Sequence, residues 1–342
     1  MNDQLTEVYA SIDALIDYAL AHLDLDPRNA DWTRNQIFAL FRLDSYPGPK
    51  TTTSAASVSD VVQDIVGSRS QAPYGEKTPD PLLAAFRAAA TTAGLFKPEE
   101  GPAYADTIMG ILSANPADLD DRFLLVEHRD GGMAAMQWFY DYCVANNYVK
   151  RAQLDRNPRF DSHGLTVTIN LAKPEFKNMK KAAAGNAVAG GYPKCTICHE
   201  NEGFAGRDKR TLRTLPVTLG GESWFWQFSP YGYFDQHGIC VNTDHTPMHV
   251  DRDTFGHLLD FVDRFPGYFL GCNAALPRIG GSVLAHDHYQ GGGELLPMHK
   301  AATWAAFTLA DYPDAVVEIL DWPGTAVRVV SKNRQSIIDV SD

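Results

Sequence analysis

The apolar pattern of this chain changes period near Gly164, and that change constrains the fold more than any other feature. Before it, apolar residues recur at helical spacing: Val8, Ile12, Leu15, Ile16 and Ala19 line one face. Similar patterns predict helices over 34–43, 57–65, 81–93 and 104–113, and the aromatic-rich stretch 133–146 reads as a helix packed in a core. Turn-forming residues such as Ser45-Tyr46-Pro47-Gly48-Pro49 separate them. After Gly164, β-branched runs bounded by turn residues take over. Strands are predicted over 165–171, 215–219, 224–228, 238–241, 268–272 and 282–289, with a helix over 255–265 and a later strand pair at 315–319 and 326–330. The basic stretch 177–184 reads as a surface helix. The class is therefore α+β. A helical N-terminal domain, 1–155, precedes a domain of mainly antiparallel sheet with packed helices, 156–342.

A chain of 342 residues, 44% hydrophobic, has apolar mass for one large core or two. Its net charge of -12 argues against a nucleic-acid partner held by a broad basic surface, but permits a local pocket for one phosphorylated small molecule. No apolar run is long enough to span a bilayer, so no membrane partner is expected. The first residues carry no signal pattern, and the expected location is the cytoplasm. Five cysteines, an odd number, argue against a disulfide scaffold, and Cys143, Cys240 and Cys272 read as buried small hydrophobes.

The densest chemistry lies in His286-Asp287-His288-Tyr289-Gln290. If 282–290 is extended, His286, His288 and Gln290 share one face while Asp287 and Tyr289 share the other. Gly280-Gly281-Ser282 before the run can bring backbone N–H groups to an anion, and Gly291-Gly292-Gly293 after it leaves room for a ligand. A neutral imidazole can attack phosphorus and carry the group covalently, and an adjacent amide can bond phosphoryl oxygens without adding charge. Asp287 either orients a neighbouring group or faces solvent.

Cys195-Thr196-Ile197-Cys198 is half of a zinc site, a redox pair or a chance spacing, and no thioredoxin-like βαβ pattern surrounds it. With no second C-x-x-C, histidines must complete a closed zinc site, and His199, His237, His245, His249 and His286 all remain open.

The run from Pro277 to Gly292 resembles the active-site signature of the type 2, bacterial galactose-1-phosphate uridylyltransferases, within the histidine-triad superfamily. So do Trp32-Thr33-Arg34-Asn35-Gln36, Ile169–Glu175, Tyr192–Arg207 and Phe228–Met248. The resemblance implies a HIT-like antiparallel sheet in the second domain. It gives His288 the place of the uridylylated nucleophile and Gln290 that of the stabilising glutamine, where the superfamily's hydrolases carry a third histidine. It also places structural zinc on Cys195, Cys198, His245 and His286. Asn273 takes the place of a nucleotide-contacting asparagine. Arg207, Arg278, Ser282 and Asn201 are further substrate-binding candidates. The implied reaction moves UMP from UDP-glucose to galactose 1-phosphate, in galactose metabolism, by a double displacement in a homodimer. The alternatives are a dinucleoside phosphorylase or nucleotide hydrolase of the same superfamily, and a zinc-stabilised, non-catalytic binding module. Type 2 members are longer than this chain, and 331–342 reads as a helix begun without its proper end, so a missing C-terminal part is expected.

Overall fold

The computed structural model describes residues 3–48, 78–171, 191–276 and 283–342. The helices expected at 57–65 and 177–184, and the Gly280-Gly281 turn, lie outside those residues. The chain divides into two compact units. The first comprises Met1–Arg129, Ala134–Arg156 and Glu200–Arg213, and the second Asp130–Met133, Asn157–His199 and Thr214–Asp342.

The first unit is helical. Its elements include α1 (Asp3–His22), α2 (Ala30–Phe41), α3 (Asp80–Thr92), α4 (Gly101–Leu112), α5 (Pro116–Asp130), α6 (Gly132–Ala145) and the single turn α7 (Arg151–Leu154). Val8, Ile12, Leu15, Ile16 and Ala19 of α1 are all fully buried, as their spacing predicts, and α1 packs chiefly on α3. Each large aliphatic side chain buried this way contributes roughly 1.5–3 kcal/mol over its exposed state. Helix α5 has no counterpart among the sequence expectations. Its charged residues outnumber its apolar ones, yet Leu119, Phe123 and Val126 recur at helical spacing and are buried. Segment 200–213 is tied in by Asn146, whose Nδ2 donates to the Thr211 carbonyl at 2.8 Å.

The second unit is built on antiparallel pairs. A short hairpin joins β1 (Arg159–Ser162) to β2 (Leu165–Thr168), so the strand expected over 165–171 is shorter. The main sheet has the order β3-β4-β5-β7-β6, with β3 at Leu215–Leu219, β4 at Glu222–Phe228, β5 at Gly238–Asn242, β6 at Phe269–Cys272 and β7 at His288–Gly292. Helix α8 (Arg252–Arg264) lies between β5 and β6 in sequence, and a three-stranded sheet of β8 (Thr303–Leu309), β9 (Tyr312–Leu320) and β10 (Val327–Val330) follows. The chain ends in α9 (Arg334–Ser341). The architecture is α+β, as expected.

Local chemistry sets the main sheet. Strands β3 and β4 are joined through Gly220 and Gly221, at φ +59° and +81°, the left-handed pair that a two-residue hairpin turn demands. Helix α8 starts at Asp251, which caps the Thr254 N–H at 3.2 Å. One sheet face is apolar core: Trp224 stacks on Tyr289 at 4.8 Å between ring centroids, and Trp226 packs on Phe261 of α8. The opposite face carries Phe225, Gln227, Ile239, Val241, His288 and Gln290, by strand alternation.

Among the described residues, no helix is long and apolar enough to cross a membrane.

Candidate active site

Strand β7 begins only at His288. Residues 284–286 form a turn closed by the His286 N–H donating to the Val283 carbonyl at 3.1 Å, and Val283 sits at φ +55°. This corrects the expectation of one extended strand over 282–289. His288 and Gln290 share a face, but His286 reaches its position from a turn. The cause is a second pairing: Met248 donates to the Leu284 carbonyl and Asp287 to the Thr246 carbonyl, at 2.9 and 2.7 Å. These bonds hold residues 284–287 against the 243–248 loop instead of continuing the ladder.

That pairing sets His286 beside His245, with ring centroids 4.3 Å apart. Cys195 and Cys198 complete a cluster whose ligand atoms all lie within 4.8 Å of one another. Cys195 Sγ is 3.3 Å from Cys198 Sγ and 3.3 Å from His286 Nδ1, and Cys198 Sγ is 3.2 Å from His245 Nδ1. A tetrahedral centre with ordinary zinc–sulfur and zinc–nitrogen bonds needs ligand atoms about 3.3–3.8 Å apart. The cluster approaches that spacing, and two thiols with two imidazoles are a zinc-type donor set. His286 Nε2 lies 2.8 Å from the Asn242 carbonyl, a pure acceptor, so Nε2 carries the proton and Nδ1 faces the thiols with a lone pair. Of the five histidines that spacing left open, His245 and His286 are the two in the cluster.

His288 is buried, and burial pushes its imidazole toward the neutral form. Its Nδ1 donates to the His286 carbonyl at 2.8 Å. That bond fixes the tautomer and leaves the lone pair on Nε2. Gln290 Oε1 lies 3.2 Å from His237 Nε2. On the far face Tyr289 OH bonds His257 Nδ1 at 3.0 Å. Asp287 does not face solvent. It is fully buried, its carboxylate oxygens have no hydrogen-bond partner among the described residues, His249 Nδ1 stands 3.7 Å away, and burial pushes its pKa up to about 6.

The glycines after Gln290 serve packing, which corrects the expectation that they leave room for a ligand. A Cβ on Gly291 would overlap the Phe269 carbonyl oxygen. One on Gly292 would sit 2.6 Å from Phe234 Cε2 and 2.8 Å from the Asp235 carbonyl oxygen, and one on Gly293 3.3 Å from the Gln236 side chain. Room beside Gln290 is instead found at Gly271, its cross-strand partner, where among the described residues a Cβ would meet nothing nearer than 3.8 Å. Asn273 directly follows Cys272, the last residue of β6, whose ladder partner Tyr289 is the neighbour of His288. Arg278 and Ser282 fall outside the described residues. Asn201, fully buried, and Arg207, half-buried, belong to the first unit. Sequence reading missed Gly271 and weighed His237 only as a metal ligand. Strand alternation back from Ile239 is the signal that puts His237 on the Gln290 face.

Residues 67–247 match the family of galactose-1-phosphate uridyl transferase, N-terminal domain. A galactose-1-phosphate uridylyltransferase of Butyrivibrio fibrisolvens is 33% identical over 344 residues, covering 97% of this chain and 82% of that protein. The chain belongs to this family. A second relative of the same name, from Halalkalibacterium halodurans, is 32% identical over 98% of this chain and 65% of its own length. A third, from Streptococcus mutans, is 37% identical over 71% of this chain and 51% of its own. The chain thus spans about half to two thirds of the length of several relatives it matches. No solved structure matches it. The family match contains Cys195, Cys198 and His245 and stops before the His286–Gln290 run, which the longer alignments reach by covering 97–98% of the chain.

Proposed function

We propose that this chain carries the nucleotidyl-transfer chemistry of a UDP-glucose–hexose-1-phosphate uridylyltransferase, with His288 as nucleophile and UDP-glucose and galactose 1-phosphate as substrates. The observation that carries the reading is the Nδ1 bond of His288 to the His286 carbonyl, which leaves Nε2 as the free nucleophilic atom on a face next to an amide. The Nε2 lone pair attacks the α-phosphorus of UDP-glucose. The bond from that phosphorus to the bridging oxygen breaks, and its electron pair leaves with glucose 1-phosphate. A phosphate oxygen of galactose 1-phosphate then attacks the same phosphorus, and the N–P pair returns to Nε2. A neutral amide at Gln290 donates to the non-bridging oxygens as charge builds there. Asn273, just past the end of β6, contacts the nucleotide in this reading, and it, Arg278, Ser282, Arg207 and Asn201 are proposals from the family pattern.

The four-residue cluster fits zinc by donor set and spacing. Four protein donors would leave no open position for water, so an ion held there would be structural. His286 connects the two sites: its ring belongs to the cluster and its carbonyl holds His288.

The test is incubation with UDP-glucose labelled in the uridylyl phosphate, followed by a denaturing quench. An acid-labile, base-stable adduct on wild-type protein, absent from His288→Gly, supports the reading. Turnover with no adduct on the wild-type chain defeats it.

A further inference from the structure

The proposed mechanism asks Gln290 to donate to phosphoryl oxygens, but a glutamine amide has two ends of opposite character. One end accepts and the other donates. If Oε1 faced the substrate, an oxygen lone pair would meet phosphoryl oxygens and the contact would be repulsive. Something must turn the amide, and backbone placement alone does not, because the terminal torsion of glutamine is broad.

We infer that His237 is the positioning residue that turns it. His237 Nε2 lies 3.2 Å from Gln290 Oε1. Oε1 is an acceptor only, so this bond requires a proton on His237 Nε2. With Oε1 occupied, both N–H groups of Gln290 stay available on the face that it shares with His288. His237 therefore acts on the substrate through Gln290.

The surroundings of His237 are built to hold it. It is 7% exposed. Its ring packs against Phe234 at 4.3 Å and Tyr233 at 4.7 Å between centroids. Its carbonyl accepts from the Ser229 N–H at 2.8 Å, closing the 229–237 loop at the mouth of β5. Gly232 lets the loop fold that tightly, since a Cβ there would lie 2.7 Å from His237 Cβ. Gly292, two residues past Gln290, admits Phe234 and the Asp235 carbonyl in the same way. Gly292 and the loop glycine Gly232 thus serve one arrangement, which clamps an imidazole onto the amide oxygen. A merely structural histidine needs none of this directed at Gln290.

This inference rests on the uridylyltransferase reading, and the experiment separates the two. The rate of adduct formation from labelled UDP-glucose is measured in single turnover at saturating substrate. The proteins are wild type, His237→Phe, His237→Asn, Gln290→Ala and the His237→Phe/Gln290→Ala double variant. His237→Phe keeps a ring but no donor, and should slow the step by about tenfold to a hundredfold, the scale of a misplaced catalytic group. His237→Asn, which keeps a donor, should recover part of the rate. The double variant should react no more slowly than Gln290→Ala alone, because His237 has nothing left to orient. A wild-type rate for His237→Phe, or a double variant slowed beyond Gln290→Ala by the full single-variant factor, overturns the positioning role. Should His237→Phe not melt cooperatively, nitrogen NMR of the intact wild-type protein decides. A proton on His237 Nε2 is expected, and an imidazole protonated at Nδ1 alone overturns the inference. An absent adduct on active wild-type protein instead removes the uridylyltransferase reading and the positioning role with it.

Discussion

Replacing Gly291 with alanine, and separately Gly271 with alanine, separates the packing glycines of the site from the one that makes space. A Cβ at 291 runs into the backbone oxygen of Phe269 and comes within 3.1 Å of Leu270 Cδ1. Neither β6 nor β7 can yield without breaking the Leu270↔Gly291 register between them. Overpacking against backbone costs about 1–3 kcal/mol. For a unit of this size, about 2 kcal/mol lowers the melting temperature by roughly 4–8 °C. At 271 the added methyl meets, among the described residues, only the Gln290 carbonyl at ordinary contact distance, so stability should stay within about 0.5 kcal/mol of wild type. The methyl does enter the space beside Gln290, and affinity for UDP-glucose should fall about tenfold. The assays are thermal melts of both variants and calorimetric titration with UDP-glucose. A Gly291→Ala melt matching wild type, or a Gly271→Ala protein that binds UDP-glucose normally, would refute the division.

Two further outcomes follow from the same geometry. Tyr289→Phe removes a buried hydroxyl from His257 on the core face, so it should cost about 1–2 kcal/mol in denaturant titration while leaving the adduct rate unchanged; a lost adduct would mean that the two faces of β7 are not independent. Purified protein should contain one zinc per chain by elemental analysis, and Cys198→Ser should lose it together with several degrees of melting temperature, whereas a metal-free wild type of full stability would remove the zinc assignment.

Where a single element decides its own form, the sequence was readable. Strand β3 lies over 215–219 as its alternation predicts, because every second residue is buried and a slip by one would expose all of them. The buried face of α1 is likewise the predicted one. Reading failed where distant pairing decides. Nothing local shows that residues 284–287 leave the strand, since the bonds from Met248 and to Thr246 come from about 40 positions away. The glycines after Gln290 misled for the same reason: the sequence shows freedom of approach but not what approaches. Strand β8 was missed because Thr303–Leu309 lacks polar alternation and is exposed along its whole length. At the site, residue types pointed to phosphate chemistry and a thiol–imidazole cluster, and the resemblance selected His245 and His286. The partner of Gln290 was visible only once β5 and β7 lay side by side.

The central claim concerns one atom: Nε2 of His288 attacks because Nδ1 is held by the His286 carbonyl. Phosphorus–nitrogen NMR on protein labelled with nitrogen-15 histidine and trapped with UDP-glucose measures it directly. The account predicts phosphorus coupled to Nε2 of His288, with Nδ1 still protonated. Coupling to Nδ1, or to a histidine other than His288, would contradict it.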